Sequence, residues 1–165
     1  MKFIELLLSY TLEGFFMAGA SLSLLGFRLK LNTLIMIAII YGSFVYWVRT
    51  MYSYLAIPLG THSFILLFLF SLLVLFIGKV PLLTAVISSL LSFLLIFWGE
   101  AIFLLPVIMF FKMDLIAFIN ASPGYTLLAI LISDILLIIA FLLGYILKFT
   151  LINLRNNNNV AKEGD

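Results

Sequence analysis

The sequence contains no cysteine and only one histidine, His62, in 165 residues. The absence of cysteine excludes a disulfide framework, a thiol nucleophile and a cysteine-based metal site. A single histidine cannot build a metal site that needs several imidazole ligands. The sequence therefore predicts neither a metal centre of these common kinds nor another cofactor.

Charged residues are also scarce, at 10% of the chain, whereas hydrophobic residues make up 65%. Soluble domains carry about 25% charged residues, so water cannot be the main solvent of this chain. The net charge of +2 is small and scattered, which argues against a nucleic-acid partner. The apolar runs are long and do not alternate, which favours helices over β-barrel strands. The sequence therefore predicts an all-α, polytopic transmembrane bundle with the lipid bilayer as its main partner.

Catalytic signatures are missing as well. The sequence has no glycine-rich phosphate loop, no HExxH motif and no GxSxG motif. Hydrolysis inside a membrane would need a positioned base and nucleophile, and no serine forms a known triad pattern with His62. We therefore expect that the protein is not an enzyme.

The most informative stretch that is present runs from Pro81 to Lys112. Between Pro81 and Phe111 its only charged residue is Glu100. The stretch is longer than the ~20 residues that a helix needs to cross a bilayer. A carboxylate inside such a run is energetically costly, so it marks a functional position by default.

Interface signals between the apolar runs divide the chain into five predicted spans and a tail. Aromatic residues within 46–54 favour the headgroup level, and residues 50–62 are predicted to form a connection that Pro58 and Gly60 break. The polar segment 155–165 is predicted to be a disordered tail after a transmembrane domain of residues 1–154. The predicted spans are about 3–26, 31–48, 63–78, 82–111 and 124–149.

Two features of this division have alternatives. Residues 101–119 are predicted to be a bent extension of the fourth span, kinked at Pro106 and lying near the interface. The alternative is a sixth span that follows a turn at Gly99-Glu100. The N-terminal run has features of a secretory signal, but Glu5 and Glu13 interrupt its apolar centre, so a retained first span is predicted.

The basic residues predict an orientation in the bacterial cytoplasmic (plasma) membrane. In the five-span topology six of them lie on one side and three on the other. Basic loops favour the cytoplasm, which places the C-terminus inside and the N-terminus outside. The side with six carries Arg28, Lys30, Lys79, Lys148, Arg155 and Lys162.

Two carboxylates fall near the predicted bilayer midplane. At 1.5 Å per residue, Glu13 and Asp134 each lie about 15 Å from the outer end of their spans. A lipid-facing carboxylate costs about 2.5 kcal/mol or more, so both are predicted to face the bundle interior. Two roles fit them: a protonated carboxyl that joins helices by hydrogen bonds, or part of a proton or cation path.

A second charged group is predicted at the outer ends of the helices, where Arg49, His62 and Glu100 form a ligand or switch layer. Arg49 can hold a carboxylate or phosphate through its planar guanidinium. His62 titrates near neutral pH, which suits a switch. The alternative is that Arg49 simply pairs with Glu100, that His62 caps a helix, and that no ligand binds.

Small residues form stripes at helical spacing on three of the predicted spans. Such stripes allow helix backbones to approach closely, and their usual role is internal packing. A partner-binding face is the alternative. The stripes consist of Gly14, Ala18 and Ser21; of Thr84, Ser88, Ser92 and Gly99; and of Ala129, Ser133, Ala140 and Gly144.

Four short features in the middle of the chain carry a resemblance to a known family. They are Arg49 after an aromatic-rich helix end, Pro58-Leu59-Gly60-Thr61-His62, Lys79-Val80-Pro81 and Gly99-Glu100. With these features, residues of about 45–120 resemble the polytopic membrane-sensor region of some sensor histidine kinases of spore-forming bacteria. In that family a dimerisation helix and an ATP-binding kinase domain follow, and this sequence lacks both. The resemblance implies a stand-alone sensory unit that passes its signal to a separate protein.

Two functions are therefore expected from different classes. The first is a sensory or regulatory membrane module of signal transduction, with a kinase as its protein partner. The second is a small membrane subunit of a transporter, such as the substrate-binding component of an energy-coupled importer, with Glu13 and Asp134 lining the path.

Overall fold

The computed structural model describes residues 2–55, 61–112, 124–152 and 154, and these residues are almost entirely helical. No strand occurs among them, so the prediction of an all-α fold is confirmed. Two π-helical turns, π1 (Glu100–Leu104) and π2 (Leu142–Ile146), interrupt or extend the α-helices. The α-helices are α1 (Lys2–Leu24), α2 (Leu31–Leu55), α3 (Thr61–Phe76), α4 (Leu82–Gly99), α5 (Leu105–Phe110), α6 (Tyr125–Ser133) and α7 (Ile135–Phe141).

Several of these helices are long and apolar enough to cross a bilayer. Three stretches meet this condition, namely Phe3–Leu24, Leu31–Tyr52 and Leu82–Phe110. A fourth is added if Leu127–Ser133 and Ile135–Ile146, which meet at 59°, form one bent span. The described residues thus hold three or four helices of spanning length, fewer than the five spans predicted, because α3 has only 16 residues.

Helix α2 is longer than the sequence predicted. It continues to Leu55, whereas the predicted second span ends at residue 48. Arg49 therefore lies inside a helix and not at its end, which corrects its predicted position. Residues 50–55, which were predicted to belong to a connection, are helical.

The helix that begins at Leu82 also continues beyond its predicted bend. Residues Leu82–Phe110 form one run of 29 residues through α4, π1 and α5. The turn at Gly99-Glu100 that a sixth span requires is replaced by helix. At π1 the Leu105 N–H donates to the carbonyl of Glu100, five residues back, and Pro106 follows directly in α5. A π-helical turn is a common way for a helix to accommodate such an irregularity.

Three predicted features lie outside the described residues. They are the break at Pro58 and Gly60, residues 113–119 of the proposed extension and the tail 155–165.

The helix at the centre of the bundle is α1. It contacts α2, α4, α6, α7 and π2. Its side chains at Met17, Ala18 and Ala20 have no exposed surface. By contrast α4 leaves about half of the Leu90 and Leu94 surfaces exposed, at 53% and 54%. The more polar helix is therefore inside, and the more apolar one faces outward, where lipid would solvate it.

The small-residue stripes lie inside this bundle. Every member of the three stripes is buried within the chain. A Cβ on Gly14 would stand 2.7 Å from the Tyr41 ring, and one on Gly42 would stand 2.8 Å from the Thr11 nitrogen. These close approaches join α1 to α2. The stripes serve internal packing, and they leave no exposed small-residue face for a partner among the described helices.

Serine side chains add hydrogen bonds between helices. The Ser21 and Ser88 hydroxyls lie 2.6 Å apart and join α1 to α4. Ser92 donates to the Met17 carbonyl at 3.1 Å across the same pair of helices. Ser71 donates to Ser89 at 2.8 Å and joins α3 to α4. Hydroxyl groups on small side chains hold transmembrane helices together in this way.

At the predicted cytoplasmic end, the residues that follow α1 contact the residues at the end of the last helix. Arg28 donates to the carbonyls of Gly144 at 3.4 Å and Lys148 at 2.6 Å, after the last helix. In return, the Leu151 N–H donates to the Leu24 carbonyl at 2.8 Å at the end of α1. Each helix end thus receives donors for carbonyls that have no partner within the helix.

Candidate functional site

Two carboxylates lie inside the bundle. Glu13 on α1 is 8% exposed, and Asp134, between α6 and α7, is 1% exposed. Both positions are interior, as the energetic cost of a lipid-facing carboxylate predicts. The two side chains also interact electrostatically with each other.

Asp134 marks a break in the last helix. The axes of the segments on either side, Leu127–Ser133 and Ile135–Ile146, differ by 59°. Backbone hydrogen bonds nevertheless continue through Asp134, whose N–H donates to Ile130 O and whose carbonyl accepts from the Ile138 N–H, both at 2.8 Å. Its carboxylate oxygen Oδ2 is buried and has no hydrogen-bond partner in the described part of the chain. A buried polar atom without a partner is uncommon and calls for an explanation.

A second irregularity lies directly against this break. A Cβ built on Gly99 would overlap the Ser133 carbonyl oxygen, so only glycine allows α4 to come this close. Glu100 follows Gly99 and begins π1. Glu100 is exposed, and it interacts electrostatically with both Glu13 and Asp134. The packing of α4 on α6 therefore brings a third carboxylate toward the buried pair.

Arg49 supplies the positive charge. Its guanidinium donates to the Tyr10 hydroxyl at 3.3 Å, and its Cζ lies 4.7 Å from the centre of the Tyr10 ring. The first contact is a hydrogen bond and the second a cation–π interaction. Arg49 also interacts electrostatically with Glu13 and Glu100. It therefore interacts both with the buried carboxylate on α1 and with the exposed one on π1.

His62 lies at the edge of this group. Its ring meets the Tyr52 ring edge-on with centroids 5.8 Å apart, and its charge interacts with that of Arg49. The three residues of the predicted outer layer, Arg49, His62 and Glu100, are thus linked through Arg49.

Electrostatic interactions connect the two predicted layers, and we name the four residues Glu13, Arg49, Glu100 and Asp134 the charged cluster. The prediction of separate layers depended on Arg49 and Glu100 marking helix ends. Because α2 continues to Leu55 and α4 continues through π1, both residues lie within helices.

Two tyrosines belong to the surroundings of the cluster and were not predicted. Tyr10 contacts Arg49, and Tyr41 is 1% exposed and interacts electrostatically with Glu13, Arg49 and Asp134. The position of Tyr41 near Arg49 could have been predicted from their spacing in the sequence. Tyr41 precedes Arg49 by eight residues, roughly two helical turns, so both share a face of α2.

An open cleft of about 570 Å³ gives access to Arg49. Its walls combine one guanidinium with aromatic and aliphatic surface, which suits a ligand with an anionic group and an apolar body. Among the described residues, no three acidic, histidine or cysteine side chains group closely enough to hold a metal ion. The cleft is lined by Leu6, Tyr10, Tyr46, Arg49, Thr50 and Tyr54.

The charged cluster thus combines an accessible cation, Arg49 in the cleft, with the interior carboxylates of Glu13 and Asp134. Likeness to other proteins adds nothing to this description, because no known protein family, curated protein or solved structure matches the chain.

Proposed function

We propose that this chain is an integral membrane protein that acts as a sensory or regulatory module of signal transduction. The observation that carries the proposal is the position of Arg49, which is exposed in the cleft yet interacts with buried Glu13. An anionic ligand or lipid headgroup that contacts Arg49 would weaken its attraction for Glu13. An event at the surface would in this way change the electrostatics of the bundle interior.

The proposed topology has five spans in the bacterial cytoplasmic membrane, with the N-terminus outside. Helix α3 covers about 24 Å at 1.5 Å per residue. This is shorter than the ~30 Å hydrocarbon core, but local thinning of the bilayer can accommodate such a mismatch. The bent pair formed by α6 and α7 with π2 supplies the fifth span.

The proposed signal travels through helix packing. When a ligand engages Arg49, the buried carboxylate of Glu13 loses part of its compensating positive charge, so the electrostatic potential around Glu13 and Asp134 becomes more negative. The break at Asp134 is the least regular point of the last helix, so a shift is most easily absorbed there. A separate protein, with a kinase as the proposed partner, would read the change at the cytoplasmic end.

The proposal is tested by measuring whether this chain binds a candidate partner and changes the partner's activity. Genes encoded beside this one identify candidates, and the full chain is co-purified from membranes with each of them. We expect Arg49→Ala and Glu100→Gln to change the partner's autophosphorylation while co-purification is retained. Lys30→Ala, an exposed charge distant from the cluster in sequence, is the control and should have no effect. Unchanged output in both cluster variants would refute the proposal.

The second candidate function is a membrane subunit of a transporter. One observation favours it: the buried carboxylate of Asp134 lies at a break in the helix. Broken helices near the membrane midplane form ion and substrate sites in many transporters. Reconstitution in vesicles, alone and with an ATPase module, separates the two candidates. Uptake of protons or solute that is lost in Glu13→Gln and Asp134→Asn would favour transport.

A further inference from the structure

We infer that Asp134 is a proton-binding site inside the bundle, with a proton exchanged with solvent as its ligand. The inference is independent of whether the protein signals or transports, because it concerns the chemistry of one side chain. It assigns a ligand to a carboxylate that otherwise has no partner for one of its oxygens.

The first argument is the surroundings of the carboxylate. Asp134 is 1% exposed, and its neighbours Ser133 and Leu137 are 6% and 0% exposed. An ionised carboxylate in such a place needs donors for both oxygens or a cation close by. Oδ2 has no donor within the described residues. A proton on the carboxylate removes the charge and makes the oxygen a donor.

The second argument is the set of charges that face Asp134. Glu13 on α1 and Glu100 on π1 both interact with it as like charges, and Tyr41 on α2 is the third titratable group. The charges that act on Asp134 most strongly are thus negative, whereas Glu13 and Glu100 are each compensated in part by Arg49. With every member ionised, the three carboxylates and one guanidinium of the cluster carry a net charge of −2, from −3 and +1. The proton is therefore expected on Asp134, where the strongest of these charges are negative.

The third argument is the fit of the site to so small a ligand. The close approach of Gly99 to the Ser133 carbonyl packs α4 directly against the backbone that precedes Asp134. A metal ion would need several ligands at once, and no three acidic, histidine or cysteine side chains of the described residues group closely enough to hold one. A proton needs one oxygen and its electron pair. It comes from solvent, and the carboxylate becomes a carboxylic acid without a change of redox state.

The test is infrared spectroscopy of the full chain in lipid, in which a protonated carboxyl has its own C=O stretching band. Asp114 and Asp165 are the only other aspartates. In an Asp114→Asn/Asp165→Asn background, carbon-13 labelling of aspartate therefore reports on Asp134 alone. We expect a band at neutral pH that shifts on labelling and is lost as the pH rises. The same band should be absent from Asp134→Asn.

Three outcomes would overturn the inference. A label-sensitive band that is missing at neutral pH would show that Asp134 is ionised. A band that persists at every pH would make the proton a fixed structural one that does not exchange. A band that disappears when sodium or potassium is added at constant pH would identify a metal cation as the ligand. Because the labelled protein keeps Asp134, the result does not depend on whether Asp134→Asn folds, and it is independent of the partner's output.

Discussion

Gly99 lies against the backbone carbonyl of Ser133, so closely that a Cβ on Gly99 would overlap the oxygen. This contact holds the start of π1 against the end of α6. It thereby places Glu100 within electrostatic range of Asp134, which follows Ser133 in sequence. The geometry of the charged cluster thus depends on a residue that has no side chain.

The first prediction concerns this contact. Gly99→Ala should destabilise the protein by about 1–3 kcal/mol, because a methyl group at this position must displace a backbone carbonyl or separate two helices. Reversible unfolding in mixed micelles measures the effect. Ala101→Val, which adds bulk at an exposed position nearby, is the matched control and should change stability little. Equal stability of Gly99→Ala and the original protein would contradict the contact.

The second prediction concerns the hydroxyl pair of Ser21 and Ser88. A double-mutant cycle with Ser21→Ala and Ser88→Ala should give a coupling free energy of roughly 0.6 kcal/mol, and at most about 1.7 kcal/mol, in favour of the pair. The same unfolding assay provides the four stabilities. Ser43, which is exposed and donates to the Ile39 carbonyl of its own helix, is the control partner. A cycle of Ser21 with Ser43 should give no coupling.

The third prediction concerns Arg28 at the end of the last helix. Arg28→Gln removes donors from the carbonyls of Gly144 and Lys148. Amide hydrogen exchange should become faster over residues 142–150, and stability should fall by about 1–3 kcal/mol, since hydrogen bonds from a charged donor are lost. Lys30→Gln removes an exposed charge from the same connection and should leave exchange unchanged. Equal exchange in the two variants would argue against the proposed cap.

The fourth prediction separates the two contacts between Tyr10 and Arg49. Tyr10→Phe keeps the ring but removes the hydroxyl, so it should cost about 0.5–1.5 kcal/mol. Tyr10→Leu also removes the ring face and should cost roughly 0.5–1 kcal/mol more. If the contacts are real, Arg49→Gln should reduce both differences, and unfolding in that background measures this. Additive effects of Tyr10 and Arg49 substitutions would show that the two side chains act independently.

The sequence predicted the helical class and the inward position of two carboxylates, for a simple physical reason. Lipid imposes a large free-energy penalty on exposed backbone groups and charges, so composition alone limits the solutions. Glu13 and Asp134 could thus be assigned to the interior without knowledge of their neighbours.

The electrostatic connection between the two predicted layers of charged residues could not be predicted in the same way. The aromatic residues after Tyr46 resemble an interface, yet α2 continues through them to Leu55 because aromatic and aliphatic side chains also sustain a helix. The break at Asp134 has no proline or glycine beside it in sequence. It coincides with the approach of Gly99 on another helix, and such tertiary contacts leave no local pattern.

The central place of α1 has a consequence for biosynthesis. Ribosomes make this helix before every helix that covers it, and Ser88 is the 67th residue to follow Ser21. Until α4 and α6 arrive, Glu13 and the buried serines of α1 have none of these later partners. In the proposed membrane topology, α1 is the least apolar of the three long spans and is made before the later helices that bury its polar side chains, so its packing is completed only when α4 and α6 follow.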